Sequence, residues 1–349
     1  MPIQMIGTQR SGSNLLRLML HAHSQIHAPH PPHLLKHFMP LARYYEPTGD
    51  PANFRQLVDD MVTVVELNPV PWEPLPDRDE VAELAPARSV VGVNDAIYTS
   101  AARRAGKPCW CCKSLGNFAY AEEMLALRGD RLRLIYLVRD GRDVALSFQR
   151  AIVGEKHVYS IARQWHADQQ ACLRLRAQLP PHQLCTVHYE ELIAQPERVL
   201  AELCEFVGVA MEPQMLAFHD LPEARRTASS SSLWQNVAAP VIRNNAQKFR
   251  TQMPPEEIAI FERVAGPSLD ALGYERVAVP PGTEQPFSAE EIARFERLNE
   301  EMKAAAREQF ATDDDLERRD RQEAFVRRIP LRHAASTACV RPPLAPDRR

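Results

Sequence analysis

The chain has 349 residues, 45% hydrophobic and 25% charged, enough to bury the core of one large α/β domain with additions, or of two domains. A formal net charge of -3 argues against nucleic acid or an anionic membrane as the main partner, so any basic site has to be local. No run reaches the roughly 20 apolar residues that span a bilayer, no charged-then-apolar leader precedes the first apolar stretch, and seven dispersed cysteines read as a reduced, cytoplasmic protein.

The short apolar run Ile3 to Ile6 predicts a strand. A tight loop follows, Gly7-Thr-Gln-Arg-Ser-Gly-Ser-Asn14, and then the helical pattern Leu15-Leu16-x-Leu18-Met19-Leu20. A strand, a glycine loop and a helix N-terminus in this order point backbone N–H groups and a positive helix dipole at one spot, which suits phosphate or sulfate. The spacing Gly7-x4-Gly12 is that of a P-loop. Ser13 and Asn14 stand where a kinase-type loop has its lysine and its magnesium-holding hydroxyl. A cation, Arg10, lies inside the loop instead.

Further along, a histidine and proline stretch runs from His21 to Pro40, a helical pattern from Ala52 to about Leu67, and a proline-rich loop from 68 to 88. Val90 to Val93 reads as a short strand and Cys109 to Lys113 as another. Cys109-Trp-Cys-Cys112 fits alternating residues of a buried strand better than a zinc site, which wants recurring Cys-x2-Cys pairs. Leu132 to Val138 is rich in β-formers, and a helix follows from near Val144. Ser160 to Leu179 predicts a helix stopped by Pro180-Pro181. Leu184 to Val187 predicts a strand, and Pro196 to Val207 a helix ended by Gly208.

Alternating strands and helices give an α/β fold, a P-loop-like three-layer sandwich around a central parallel sheet. Ligands then sit beyond the carboxyl ends of the strands, where Arg10, Lys113 and Arg139 all fall. From about Phe287 the composition changes. Ser288-Ala-Glu-Glu291 is a capping box, highly charged helical sequence runs to about Arg328, and the last twenty residues read as frayed. The chain divides into a domain at 1–280 and a charged helical C-terminal extension at 281–349. The extension reads as a solvated packing helix or a homodimer element, outside the chemistry.

A second anion site is encoded in Tyr136-Leu-Val-Arg-Asp-Gly-Arg-Asp-Val-Ala-Leu-Ser147. A strand delivers Arg139 to the sheet edge, and Ser147 follows eight residues later in the next helix. An arginine and a hydroxyl at such a junction can grip a second phosphate.

With these motifs the chain resembles the sulfotransferases that use 3'-phosphoadenosine 5'-phosphosulfate (PAPS). Arg10-Ser11-Gly12-Ser13-Asn14 is similar to their donor loop, and Arg139 with Ser147 to their 3'-phosphate site. Val187-His-Tyr-Glu-Glu-Leu resembles their Tyr-Glu-x-Leu segment, and Ser229 to Arg250 their closing segment. The resemblance covers about residues 3–275. Arginine in the loop is closer to the bacterial and tyrosyl-protein branches than to the animal cytosolic branch.

The resemblance implies transfer of a sulfuryl group to a hydroxyl of an alcohol or phenol, leaving adenosine 3',5'-bisphosphate (PAP). It implies that Ser11, Gly12, Ser13, Asn14 and Leu15 hold the phosphosulfate end. Arg10 then lies on the oxygen between phosphorus and sulfur, where charge grows as the S–O bond breaks. Lys113 becomes a second cation for the sulfuryl oxygens. Arg139 and Ser147, with Lys248 and Arg250, take the 3'-phosphate, and Tyr189 lies at adenine or in the core. No metal is required, because a sulfuryl group carries less charge than a terminal phosphoryl group.

The general base is the least determined element. The histidine that the animal cytosolic branch places two residues after its central-strand lysine is replaced here by Leu115. Alignment with the tyrosyl-protein branch brings His30 near that branch's glutamate, with His33 next and an acid such as Asp95 after it. Six of the twelve histidines lie between 21 and 37, and prolines 29, 31 and 32 keep them from a helical metal array. The acceptor pocket is expected from residues 29–50, a loop at 92–100 and the segment after 151. Two other readings stay open: a P-loop small-molecule kinase, and a non-catalytic nucleotide-binding relative.

Overall fold

A computed structural model describes residues 1–309 and 314–339. Five strands form one sheet: β1 (Pro2–Gly7), β2 (Ile26–His27), β3 (Cys109–Cys112), β4 (Arg133–Val138) and β5 (Leu184–His188), in the order β2-β3-β1-β4-β5. All four pairings are parallel. The helices in chain order are α1 (Ser13–Ala22), α2 (Leu34–Phe38), α3 (Pro51–Glu66), α4 (Arg78–Leu84), α5 (Val90–Arg104), α6 (Ala121–Arg128), α7 (Gly141–Gln149) and α8 (Val158–Gln178). They continue with α9 (Tyr189–Ala194), α10 (Pro196–Val207), α11 (Pro222–Ser229), α12 (Phe249–Gln252), α13 (Pro255–Ala271), α14 (Ala289–Gln309) and α15 (Asp314–Cys339).

Period-two alternation along the strands divides the core between the two faces of the sheet. Ile3, Met5, Cys109, Cys111, Ile135 and Leu137 pack on one side against α1 and α10. Ile6, Trp110, Cys112, Leu134, Tyr136 and Val138 pack on the other against α3, α5, α8 and α13. Cys109-Trp-Cys-Cys112 is thus a buried strand. The result is the three-layer sandwich expected from the sequence.

Several boundaries differ from the sequence reading. Val90 to Val93 opens α5 instead of forming a strand. Ser89 caps it by accepting from the Gly92 N–H at 3.1 Å, and burial of Val90, Val91 and Val93 outweighs their β preference. Residues 92–100 are therefore helix, not a pocket loop. The stretch 68–88 contains α4, capped by Asp77. Helix α7 starts at Gly141, earlier than Val144, because Asp140 accepts from the Arg142 N–H at 3.0 Å. The two-residue β2 carries too little pattern to be read from sequence.

The capping box at Ser288 forms as expected, with the Ser288 N–H donating to Glu291 and the Glu291 N–H donating to Ser288 Oγ. Helix α15 continues through Pro330 to Cys339, where fraying was expected. Ile329 is buried and Arg332 pairs with Asp60, which holds the chain in helix there. The rest of the last twenty residues lies outside the described residues. No described helix is long and apolar enough to cross a membrane.

Candidate active site

The loop between β1 and α1 gathers the expected groups at the carboxyl end of the sheet. Gly12 has φ 84° and Arg10 φ 70°, a left-handed pairing that bends the chain back toward α1. A Cβ on Gly12 would lie 2.3 Å from the Tyr189 ring, so backbone and ring are in direct contact there. The first-turn N–H groups of Ser13, Asn14 and Leu15 have no intrahelical acceptor by construction. Ser11 Oγ is buried without a hydrogen bond among the described residues. Ser13 and Asn14 are buried and Leu15 is half-buried.

Arg139, delivered by the end of β4, donates from Nη1 to the Arg10 carbonyl at 3.0 Å and from Nη2 to the Asn245 carbonyl at 3.2 Å. Its guanidinium carbon lies 4.4 Å from the centre of the Tyr189 ring. Arg10 Nε donates to Ser147 Oγ at 3.0 Å. Arg10, Arg139, Ser147 and Tyr189 therefore form one contiguous cluster of contacts. Arg10, expected at one end of the ligand, is bonded to a residue expected at the other. Burial, then the neighbouring Arg139 and Arg319, lower the Arg10 pKa to about 10.

Lys113, just past β3, is buried and donates to Asn14 Oδ1 at 2.8 Å. Burial, then the cations Arg17, Arg319 and Arg10, push its pKa well below 10.5. His30 is buried. Its carbonyl accepts from Trp72 Nε1 at 2.5 Å and Asn68 Nδ2 at 3.1 Å, and its Nε2 makes no hydrogen bond among the described residues. Burial and Lys113 hold it well below 6.5, as they hold His33. His33 is half-buried at the N-cap of α2 with φ 55°.

Other candidates are used elsewhere. Arg250 is exposed and paired with Glu275 at 2.8 Å, turned to the surface instead of the cleft. Lys248 is half-buried at the N-cap of α12. Asp95 is held by Arg128, with Nε to Oδ1 at 2.6 Å, and is spent as an ion-pair partner. His23 bonds the Ala210 carbonyl at 2.8 Å, and His21 accepts from the Ala28 N–H at 3.1 Å, both fold contacts. No group of three or more His, Cys, Asp or Glu side chains that could hold a metal is present among the described residues.

A sequence model described as the sulfotransferase family matches residues 2–213. The chain belongs to the sulfotransferase family. The matched stretch takes in the loop, Lys113, Arg139, Ser147 and Tyr189. The fold is similar to that of a sulfotransferase domain from the curacin biosynthetic pathway, at 24% identity and a TM-score of 0.56 over 79% of this chain and 98% of that one. It is also similar to the sulfotransferase domain of the Synechococcus PCC 7002 olefin synthase, at 18% identity and a TM-score of 0.51 over 79% and 95%. An uncharacterized protein of Aquifex aeolicus (strain VF5) is 24% identical over 173 residues, 47% of this chain and 21% of that protein. The chain thus spans about a fifth of the length of that curated relative.

Sequence reasoning missed several residues packed around this candidate site. Arg17 on α1 is buried, donating to Glu223 at 2.8 Å, Thr227 at 2.7 Å and the Ala28 carbonyl at 2.9 Å. A lone cation inside Leu15-Leu16-Arg17-Leu18 was its signal. Asn245, not Arg250, joins the 229–250 segment to the cleft, donating from Nδ2 to the Tyr189 hydroxyl at 2.6 Å. The Phe249 N–H ties the same segment to Asp143 at 2.9 Å. Trp234 lies 4.7 Å from the His30 ring, centre to centre. Arg319 on α15, in the extension, lies 5.3 Å over Trp234.

Proposed function

We propose that this sulfotransferase moves a sulfuryl group from PAPS to the hydroxyl of a small alcohol or phenol, in line and without a metal, releasing PAP. The observation that carries the reading is the direct contact of Arg139 with the Arg10 loop, with Ser147 bonded to Arg10 and with Lys113 and His30 close enough to feel the same charges. The unpaired N–H groups of α1 and the buried Ser11 hydroxyl fit the 5'-phosphosulfate. Arg139 and Ser147 fit the 3'-phosphate. For Ser147 to serve that end, its bond from Arg10 must open, which frees Arg10 to turn to the bridging oxygen.

Each residue has a distinct task. Lys113 and Arg10 stabilise charge that develops as the S–O bond breaks. Lys113 is buried and Arg10 half-buried, so each acts through a lower dielectric than bulk water. His30, kept neutral by burial and the nearby cations, takes the acceptor's proton. The acceptor approaches from the side of His30, His33 and Trp234. A reduced, cytoplasmic setting is part of the same proposal.

Thermal unfolding with PAP in the absence of metal tests the donor assignment. Stabilisation by about 2.7 kcal/mol is expected at a hundredfold excess over Kd. Stabilisation only by magnesium ATP would favour the P-loop kinase. Binding of PAP without donor turnover on any hydroxyl compound would favour the non-catalytic relative. Arg10→Ala is expected to cut turnover by about a hundredfold or more with a smaller loss of donor affinity. Equal losses in both would make Arg10 a binder only.

A further inference from the structure

Helix α14 lies beyond the family match, which ends at residue 213, and it buries an asparagine. Asn299 Oδ1 accepts from the main-chain N–H groups of Lys156 at 2.8 Å and His157 at 2.9 Å, just ahead of α8. Its Nδ2 donates to Glu155, with which Lys303 of the same helix pairs at 3.7 Å. One turn earlier, the Phe295 ring stacks on the His157 ring, 4.8 Å centre to centre. The consecutive residues 155–157 are thus gripped by one face of α14.

The gripped segment bears on the end of α7. Lys156 is buried, and its ammonium donates to the Phe148 and Val153 carbonyls, both at 2.9 Å. Phe148 lies in the last turn of α7, whose carbonyls lack intrahelical donors, and a cation there also suits the negative end of the helix dipole. Gly154, at φ 80°, closes the loop onto the Phe148 ring, which a Cβ at that position would meet at 2.5 Å. The preceding residue of the same turn is Ser147, whose hydroxyl accepts from Arg10. We propose that Lys156 and Asn299 are positioning residues for the donor: together they lock the last turn of α7 and so fix the Ser147 hydroxyl for the 3'-phosphate. The inference rests on the donor assignment above. The two residues act through Phe148 and Ser147, not by contact with the ligand. Removing Asn299 strands two N–H groups beside α8 and loosens the segment that carries Lys156. Removing the ammonium takes a donor from the Phe148 carbonyl and lets the turn with Ser147 fray.

The test titrates the full chain calorimetrically with PAP and with adenosine 5'-phosphate, which differs only in lacking the 3'-phosphate. Asn299→Ala and Lys156→Met are each expected to weaken PAP by about tenfold, the worth of one hydrogen bond to a charged group, and adenosine 5'-phosphate by less than about twofold. Lys156→Arg, which keeps a cation at the end of α7, is expected to retain most of the affinity for PAP. Ser147→Ala alone should cost about tenfold or more in PAP affinity. Adding Asn299→Ala to it should cost less than about twofold further, because both changes remove the same contact. Equal losses for the two ligands would make the pair general supports of the fold, and losses that add in full to Ser147→Ala would give them another route; either result overturns the proposal. So does unchanged PAP affinity in both variants. Thermal unfolding reports whether each variant folds, and Asn299→Ser, the smaller change, carries the test if neither of the others does. A wild type that does not bind PAP, or a Ser147→Ala chain that binds it as tightly as the wild type, would instead remove the donor assignment on which the proposal stands.

Discussion

The Arg139 guanidinium donates to the main-chain carbonyl of Arg10 at 3.0 Å, so the two proposed anion-binding arms are physically linked. Arg139 holds the loop at its left-handed residue while its other amino group holds Asn245 of the 229–250 segment. One side chain thus couples the loop, the end of β4 and the segment that covers them.

Arg139→Ala is expected to weaken PAP by about tenfold to a hundredfold, the worth of one or two charged hydrogen bonds. Adenosine 5'-phosphosulfate, which lacks the 3'-phosphate, should lose much less. Calorimetric titration of both ligands into both proteins makes the comparison. A preference for PAP that survives the substitution would place the 3'-phosphate elsewhere.

The proposed base gives a pH signature. Burial and Lys113 lower the His30 pKa well below 6.5. A base with a lowered pKa keeps its unprotonated form to lower pH. The acid limb of kcat/KM follows the free enzyme, so it should fall well below pH 6.5. His30→Ala should lose about a hundredfold or more in kcat, and His33→Ala less. A limb at or above pH 6.5, or full activity in His30→Ala, would take His30 out of the role.

Gly12 is held by conformation and by contact together. Its φ of 84° is strained for any residue with a Cβ, and that Cβ would meet the Tyr189 ring at 2.3 Å. Gly12→Ala is expected to cost about 1–2 kcal/mol from backbone strain alone, and more because Tyr189 must move off Arg139. Chemical denaturation measures the stability loss, and PAP affinity should fall with it. A variant that binds PAP normally would show that the ring is not a support of the loop.

Much of this architecture was legible in the sequence because its signals are local. The alternation in Leu132 to Val138, the glycine spacing at 7 and 12, and the Arg139-x7-Ser147 interval each depend on a few adjacent residues. What was not legible depends on pairings across long separations. Nothing near Arg17 announces Glu223, and nothing near Trp234 announces Arg319. The charge of the extension made it look solvated, yet it is pinned by one buried isoleucine, one buried glutamine and two arginines that reach the domain. Val90 to Val93 looks like a strand by its β-branched residues alone, and Ser89, just outside the run, supplies the cap that decides the helix.

Arg142 shows how a long-range pairing bears on the site. It is buried and donates to Asp140 at 2.7 Å and to Glu262 at 2.6 Å, while Phe249 lies against it, ring centre 3.8 Å from the guanidinium carbon. Glu262 is buried as well and also accepts from the N–H groups of Val277, Ala278 and Val279 at 2.8 to 2.9 Å. Removing the cation leaves two buried carboxylates without their partner, which typically costs about 3–5 kcal/mol. The three N–H donors to Glu262 should keep Arg142→Met near 3 kcal/mol, read from denaturant unfolding. Glu262→Gln in the same chain should recover part of it, since the stranded charge is gone. The Phe249 N–H anchors the covering segment to Asp143, so PAP affinity should fall in Arg142→Met although Arg142 touches no proposed ligand atom. Loss of stability with unchanged PAP affinity would separate the buried network from the donor site.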